Sequence, residues 1–319
     1  MNRNKGRVTI NDVAKSAGVS AQTVSRAFSN SSYIKTETKN KIFECAKTLN
    51  YVPNSTARNF RNGSSKKIAI VFDTLKNLYF SILIDYLSAE LIKLGYSLDT
   101  YFVDKHLLTS EIYENIISNG DDGIISLLGV DDDVENLVKM HNLPILIAGR
   151  TTESNYISYI SADDFEGGKL AALELVKEKC SNYLYLGEVP GIYCSILRFN
   201  GFNNILKEKG ITPKEVYCYG DVIKELEKLV KENYDFDGVF CFNDMIAYNA
   251  RKYFKHINKK VNIVGYDGLF KDIDILDPIR TITVEKKSFA KLVAETMISI
   301  VEKNIKQVVH KEIRPELVK

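Results

Sequence analysis

The 319-residue sequence contains no tryptophan, four histidines and five cysteines. The cysteines form no C-x-x-C pair and do not cluster with histidine, so the sequence predicts neither a zinc site nor a disulfide framework. A scattered, odd-numbered set of this kind is typical of a reduced, cytoplasmic protein. The histidines share no spacing and have no nucleophile context, so we expect packing or surface roles for them. No metal ion and no cofactor is expected.

Several patterns that would indicate other classes of protein are also missing. No run of about 18 apolar residues is present, so no transmembrane helix is predicted. The basic start is not followed by an apolar segment, which argues against a signal peptide. The sequence has no GxxxxGK[ST], no HExxH, and no GxGxxG after its first predicted strand. These absences argue against an enzyme.

The charge is distributed unevenly along the chain. Residues 1–67 contain 13 Lys or Arg and 3 Asp or Glu, a net charge of +10. The remainder contains 30 and 38, a net charge of −8. A basic head on an acidic body is typical of a nucleic-acid-binding module fused to another domain.

The stretch NDVAKSAGVSAQTVSRAF predicts two short helices joined at Gly18. Thr9 or Asn11 can cap the first helix, and Ser20 can cap the second, residues 21–28. A third helix is predicted from about residue 36 to 49 by its apolar spacing. Three helices with a tight turn between the first two indicate a helix-turn-helix unit.

One face of helix 21–28 is left polar. At 100° per residue, one range of about 240–340° holds Val24, Ala27 and Phe28, and another of about 0–140° holds Ala21, Gln22, Ser25 and Arg26. Gln22 can pair with adenine, and the Arg26 fork fits guanine O6 and N7. Ala21 can meet a thymine methyl group. The hydroxyls expected to donate to phosphates and fix the register are those of Thr9, Ser20, Thr23 and Ser25.

The segment from Thr9 to Phe60 resembles the DNA-binding head of the lactose/galactose repressor (LacI) family. The matching residues are Thr9, Ile10, Asp12, Val13, Ala14, Ala17, Gly18, Val19, Ser20, Thr23, Val24, Ser25, Arg26, Asn50, Tyr51, Pro53, Asn54, Ala57 and Arg58. The resemblance continues through the body. It implies a dimeric, sequence-specific DNA-binding regulator with a pseudo-palindromic operator.

A linker, residues 53–65, follows the head domain, residues 1–52. Its helical window of about eight residues is too short to be stable alone, so it can fold when docked and melt when released. The family resemblance implies that this hinge helix enters the minor groove, which assigns DNA-binding roles to Asn54, Ala57, Arg58 and Phe60. Phe60 replaces the leucine common in the family. A flexible tether is the alternative.

Residues 66–319 alternate apolar strand-like runs with helical patterns. This rhythm predicts parallel sheets covered by helices. The expected fold is a small all-α helix-turn-helix head plus an α/β body of two doubly wound parallel-sheet lobes, similar to periplasmic binding proteins. We place the N lobe at about 66–160 and 286–309, and the C lobe at about 161–285 and 310–319.

Polar residues follow two strands and begin one helix of the second series: Asn243, Asp267 and Arg198. Arginine donates in a fork, aspartate accepts, and asparagine does both, so together they can grip adjacent hydroxyls. The alternatives are a helix cap for Asp244, a surface ion pair for Arg198 and a turn role for Asp267. Asp163-Asp164 is interpreted first as a cap.

The same three residues lie in the family's R-x-x-G-F, N-D-x-x-A and G-Y-D motifs, which implies that they bind an effector between the lobes. Asn243 favours a carbohydrate, and Tyr79 and Phe80 lie where the family often places ligand-facing groups. Val222 replaces an aromatic residue of many relatives, so we expect another stacking platform, Tyr193 or Phe270. Arg150 stands where some sugar repressors carry aspartate.

The sequence therefore predicts a homodimeric repressor controlled by a small carbohydrate. Control by a partner protein or by a non-sugar metabolite is an alternative. A carbohydrate-binding transport protein shares the body fold, but the basic head and the missing signal peptide argue against it.

Overall fold

The computed structural model describes residues 8–28, 34–52, 64–104, 107–304 and 307–319. Two compact units divide them, one up to Lys66 and one from Lys67 onward. The predicted hinge helix falls within residues 53–63 and so lies outside the described residues. The first unit is the head and the second is the body.

Three helices form the head: α1 (Ile10–Ala17), α2 (Ala21–Phe28) and α3 (Thr36–Thr48). Thr9 precedes α1, and its backbone N–H and its hydroxyl donate to the Asp12 carboxylate at 2.8 and 2.7 Å. Gly18 ends α1 with a φ of 67°, a left-handed conformation that glycine adopts without steric cost. Ser20 accepts a hydrogen bond from the Thr23 amide at 3.1 Å and so caps α2.

One apolar core joins the three head helices. Its fully buried members are Val13, Ala14, Ala17, Val24, Ala27, Ile42 and Ala46. Phe28 closes one side by packing edge-on against Phe43 and Tyr51, with ring centroids 5.1 and 5.8 Å away. The buried residues recur three or four positions apart, as an amphipathic helix requires.

The body contains two six-stranded sheets. Its strands are β1 (Lys67–Phe72), β2 (Ser97–Phe102), β3 (Leu107–Leu108), β4 (Gly123–Ser126), β5 (Gly129–Val130), β6 (Ile145–Ala148), β7 (Ser158–Ala162), β8 (Tyr183–Gly187), β9 (Lys214–Tyr217), β10 (Gly238–Cys241), β11 (Asn262–Tyr266), β12 (Arg280–Thr283), β13 (His310–Ile313) and β14 (Glu316–Val318). Its helices are α4 (Leu78–Lys93), α5 (Ser110–Asn119), α6 (Asp132–His141), α7 (Asp164–Lys177), α8 (Tyr193–Lys207), α9 (Val222–Lys231), α10 (Asp244–His256) and α11 (Lys286–Val301), with a 3-10 turn at Leu269–Lys271.

Each sheet belongs to one lobe. The N-lobe sheet has the strand order β13-β7-β6-β4-β1-β2, and the C-lobe sheet has the order β14-β12-β11-β10-β8-β9. All pairings within both sheets are parallel except that of β14 with β12. The carboxyl ends of the parallel strands are where ligands bind in such sheets. Among the described residues, no helix combines the length and apolar composition needed to cross a membrane.

The chain passes between the lobes at residue 163, at 284–285 and at 314–315. The third crossing corrects our lobe boundary, which assigned all of residues 310–319 to the C lobe. Strand β13 instead extends the N-lobe sheet, where its His310 lies opposite Tyr159 of β7. Pro315, which lacks a backbone N–H, separates it from β14 in the C lobe. The segment is short and charged, so its sequence carries little strand periodicity.

Helices α7 and α8 of the C lobe pack so closely that only glycine fits at their crossing. A Cβ added to Gly201 would lie 1.9 Å from the carbonyl oxygen of Phe165, and one on Gly168 would lie 2.0 Å from that of Arg198. These backbone atoms cannot move aside as a flexible side chain could. The close approach brings the first turn of α7 beside the second turn of α8, which carries Arg198.

Gly201→Ala is expected to lower the free energy of unfolding by about 1–3 kcal/mol, because the added methyl group forces the two helices apart. Asn204→Ala, on an exposed position of the same helix, is the control and should leave stability nearly unchanged. Denaturant titration of both variants measures the difference. Equal midpoints for the two variants would contradict the close packing.

Candidate DNA-binding face and effector cavity

The polar face predicted for α2 is present in the head. Gln22 and Arg26 are exposed, whereas Val24 and Ala27 on the opposite side are buried. Ala21, Thr23 and Ser25 are half-buried at the edges of that face. A helix with two exposed readout side chains and a buried opposite side has the form required to enter a major groove.

Some hydroxyls of the head already have structural partners. The Ser20 and Thr23 hydroxyls lie 2.8 Å apart at the start of α2, and the Thr9 hydroxyl donates to Asp12. The phosphate contacts of these hydroxyls stay a prediction. To bind phosphate, each hydroxyl would have to share or exchange its present partner. The four predicted hinge contacts, Asn54, Ala57, Arg58 and Phe60, lie outside the described residues.

A cavity of about 370 Å³ lies between the two lobes of the body. All five residues predicted to bind an effector line it: Tyr79, Phe80, Arg198, Asn243 and Asp267. Its volume is in the range of small-molecule sites. Asn243 and Asp267 follow β10 and β11 at their carboxyl ends, as the topology requires.

Arg198 is held rigidly at the floor of this cavity. Its Nε donates to Asp164 Oδ1 at 2.7 Å, and its Nη1 donates to the carbonyl oxygen of Phe242 at 2.6 Å. The guanidinium lies 3.5 Å above the Tyr266 ring centroid and 4.8 Å from that of Phe242. Burial alone would lower the pKa of Arg198, but the Asp164 carboxylate raises it well above its ordinary value, so the charge is permanent.

Asp164 is the functional residue that the sequence interpretation missed. Asp163 alone caps α7, by accepting from the Glu166 amide at 2.8 Å, while the buried Asp164 pairs with Arg198. A buried carboxylate needs a charged or hydrogen-bonding partner, whereas an N-cap residue is exposed at a helix end. The sequence signals that point to this contact are Gly168 and Gly201, which allow the two helices to pack closely.

Asn243, and not Asp244, makes the helix cap, and it also borders the cavity. Its Oδ1 accepts from the Ile246 amide at 2.9 Å and so caps α10, while the residue also lines the cavity. The cap fixes the side chain, which leaves its amide N–H₂ group as a hydrogen-bond donor for a ligand. The neighbouring Asp244, interpreted from the sequence as a possible cap, is fully buried and supports the cavity without lining it.

Asp244 anchors the loop that carries Asp267. Its Oδ1 accepts from the Thr281 hydroxyl at 2.6 Å, and its Oδ2 accepts from the Leu269 amide at 2.8 Å. Burial raises the pKa of Asp244 to about 6, and the Thr281 hydrogen bond opposes that rise. Asp267 itself has a φ of 113°, which is strained for a residue with a side chain. Such strain persists where surrounding contacts impose it, and it is frequent in ligand sites.

The Asp267 carboxylate accepts no hydrogen bond from the described residues, although its backbone N–H donates to Ile282 and its carbonyl oxygen accepts from Thr283. Burial raises the pKa of Asp267 to about 8, and the nearby Arg198 charge offsets only part of this effect. The carboxyl group is therefore mostly protonated at neutral pH. It can donate one hydrogen bond and accept others.

The N lobe supplies the opposite wall. Tyr79 and Phe80 begin α4, where the Asn77 side chain accepts from the Tyr79 amide at 3.1 Å. Burial raises the pKa of Tyr79, so its hydroxyl stays protonated as a donor. Arg150 follows β6 and is oriented by a 3.2 Å hydrogen bond from its Nε to the Leu127 carbonyl oxygen. Two aromatic rings and a second guanidinium thus face the C-lobe residues.

The expected stacking platform was assigned to the wrong residues. Tyr193 is half-exposed and lines a different depression, and Phe270 packs against the C-lobe core, so neither borders the cavity. The aromatic residues that line the cavity are instead Tyr79, Phe80, Phe242, Tyr266 and Phe289. Val222, where many relatives carry an aromatic residue, is buried at the start of α9. A platform on α4 faces the cavity because α4 begins at the carboxyl end of β1.

A helix-turn-helix head with an exposed readout face, joined to a two-lobed body with a ligand-sized cavity, defines a class: ligand-responsive DNA-binding regulators. Comparisons with known proteins agree with this class. Residues 9–54 match the family described as "Bacterial regulatory proteins, lacI family".

Two curated relatives span nearly the whole chain. The sucrose operon repressor of Streptococcus mutans is 31% identical over 306 residues, which cover 92% of each chain. The ribose operon repressor of Bacillus subtilis is 28% identical over 304 residues, again 92% of each chain. Among solved structures, the lac repressor dimer bound to operator and the anti-inducer ONPF aligns with a TM-score of 0.86 over 98% of both chains, at 21% identity. The chain belongs to the lacI family of bacterial regulatory proteins.

Asp267→Asn is expected to remove a pH-dependent loss of stability. The folded protein keeps a proton on Asp267 up to about pH 8. The unfolded chain releases that proton near pH 4. Because the unfolded state binds fewer protons in this window, stability falls as the pH rises from about 4 to about 8. The melting temperature of Asp267→Asn relative to wild type should therefore increase over that range.

Asp274→Asn, at an exposed position in the same loop, is the control for this measurement. A melting-temperature difference that is constant with pH for Asp267→Asn would show that this carboxyl group does not titrate as its burial requires.

Proposed function

We propose that this protein is a transcriptional repressor that binds a pseudo-palindromic operator as a homodimer, and that a small carbohydrate bound between the lobes changes its operator affinity. The observation that carries the proposal is the preorganised Arg198, which faces Asp267 and Asn243 in the inter-lobe cavity. The protein acts by binding, not by catalysis, and works in the cytoplasm where its DNA target lies.

The chemistry of the cavity supports a polyhydroxylated ligand. The Arg198 charge is already balanced by Asp164, and Asp267 is largely protonated, so these groups offer hydrogen bonds without a net charge. Adjacent hydroxyls can accept from Arg198 and exchange hydrogen bonds with Asp267 and Asn243. The apolar faces of Tyr79 and Phe80 suit the C–H surface of a sugar ring.

The relatives suggest which carbohydrates to test first, since two of them are named for sucrose and ribose operons. A thermal-shift screen should begin with these sugars, free and phosphorylated. A ligand that binds only the folded state raises the melting temperature. A sugar that raises it should also change the affinity of the protein for operator DNA. A hit that leaves operator affinity unchanged would refute control by that sugar.

Arg198→Lys is expected to weaken binding of the sugar at least about tenfold, because an ammonium group cannot reproduce the guanidinium fork. Asn243→Ala should weaken it as well, since the cap and the cavity donor are both lost. Arg251→Lys is the matched control, because the Arg251 guanidinium does not line the cavity and its Nη1 donates to Pro278 O at 2.9 Å within the same lobe. Calorimetric titration measures all three, and equal affinities for Arg198→Lys and Arg251→Lys would rule out this site.

The proposed DNA contact is direct readout by α2. Gln22→Ala and Arg26→Ala should each cost about 1–3 kcal/mol on an operator selected from random duplexes, with little effect on non-specific DNA. Lys15→Ala, at an exposed position on α1, is the control and should weaken both DNAs similarly if it contacts DNA at all. Fluorescence anisotropy gives the affinities. The readout assignment fails if Gln22→Ala and Arg26→Ala reduce operator and random-DNA binding equally.

In this proposal the hinge residues Asn54, Ala57, Arg58 and Phe60 act with α2 on the operator. Phe60 would wedge into a central base step, which trades a few kcal/mol of unstacking for a bent duplex. Such a wedge favours flexible pyrimidine–purine steps at the operator centre.

A further inference from the structure

One largely buried carboxylate of the C lobe contacts two side chains that belong to N-lobe helices, one through a hydrogen bond and one through an ion pair. Asp272 Oδ1 accepts from the Tyr86 hydroxyl at 2.8 Å, and Tyr86 lies in the middle of α4. Asp272 Oδ2 lies 2.7 Å from the Nζ of Lys286, the first residue of α11. The Lys286 side chain is 3% exposed and that of Asp272 is 11% exposed, so water screens this ion pair weakly.

The same loop leads directly to the effector cavity. Asp267 lines the cavity, Gly268 accepts from Lys286 Nζ at 3.1 Å through its carbonyl oxygen, and the 3-10 turn Leu269–Lys271 connects Gly268 to Asp272. Asp244 fixes the start of that turn through the Leu269 amide. A displacement of Asp267 is therefore transmitted through one rigid turn to the carboxylate that holds α4.

We infer that the hydrogen bond from Tyr86 to Asp272 is an inter-lobe latch that regulates the effector cavity. The inference rests on the proposed function, because the cavity is the site whose ligand the latch would control. Tyr86 does not line the cavity, so it acts by stabilising the arrangement in which both lobes border it. Tyr86 is thus a positioning residue. A bond that holds one of two lobe arrangements shifts their populations and hence the apparent affinity for ligand.

Lys286 and Tyr86 have different roles in this latch. Lys286 follows directly from an inter-lobe crossing, so its contact with Asp272 can persist when the lobes rotate. Tyr86 is in the N-lobe body, eight residues into α4, and is separated from the crossings. Its contact is the one that lobe opening must break.

Tyr86→Phe removes only the hydroxyl and is the decisive variant. The control is Tyr101→Phe, because the Tyr101 hydroxyl donates to Asp121 at 2.6 Å and accepts from Asn119 at 2.9 Å, both within the N lobe. Both variants lose one hydroxyl-to-aspartate hydrogen bond, but only Tyr86→Phe loses one between lobes. We expect Tyr86→Phe to weaken binding of the sugar identified by the thermal-shift screen about threefold to tenfold, and Tyr101→Phe to leave it unchanged.

A measurement without sugar separates the latch from the effector proposal. Amide hydrogen exchange over residues 268–273 reports on the turn that the latch holds. Exchange there should be several-fold faster in Tyr86→Phe than in wild type, and unchanged in Tyr101→Phe. Equal exchange in both variants overturns the latch, even if a sugar binds. Faster exchange in Tyr86→Phe supports it even if no tested sugar binds, a result that would count only against the proposed effector class.

Discussion

The ion pair between Arg198 and Asp164 is the interaction on which the rest of the cavity depends. Removing both charges from water is costly, and the pair repays that cost only with good geometry and further hydrogen bonds. The structure supplies these as the 2.7 Å contact to Asp164, the 2.6 Å contact to Phe242 and the aromatic face of Tyr266. Because these contacts fix the guanidinium before a ligand binds, it loses little conformational entropy on binding. More of the free energy of its hydrogen bonds to the ligand therefore contributes to affinity.

The surrounding fold can be understood as the support for that pair. Gly168 and Gly201 let α7 and α8 approach until Asp164 and Arg198 meet. On the other side, Asp244 fixes the loop that keeps Asp267 in a strained conformation facing the same space. The site is thus built from one lobe, while Tyr79 and Phe80 from the other lobe close it. A ligand that bridges the two walls must stabilise one relative arrangement of the lobes, which is the basis for coupling to DNA.

Much of this organisation was predictable from local sequence physics. The helix 21–28 and its exposed Gln22 and Arg26 followed from 3.6-residue periodicity, and the two-lobed body followed from alternating strand and helix patterns. Arg198, Asn243 and Asp267 were predicted from their places near element ends and from the family motifs that contain them, and all three line one cavity. These features depend on residues close together in the sequence or on the general rule for parallel sheets.

The features that escaped prediction depend on long-range contacts. Asp164 and Arg198 are 34 residues apart, and the partner of a buried charge cannot be deduced from its own neighbours. The assignment of β13 to the N lobe reflects a pairing with β7 across 150 residues of intervening chain, and a four-residue charged strand has no periodicity to reveal it. Tyr193 and Phe270 were predicted as a stacking platform for a sugar from their residue type alone. The sequence did not show in which direction their side chains point.

The most direct test of this account is the affinity of Asp164→Asn for the sugar that wild type binds. Asparagine keeps the shape and a hydrogen-bond acceptor for Arg198 but removes the balancing charge. The buried guanidinium is then left uncompensated, so we expect a folded protein whose sugar affinity is reduced at least about tenfold in calorimetric titration. An affinity equal to that of wild type would show that the ion pair does not organise the site.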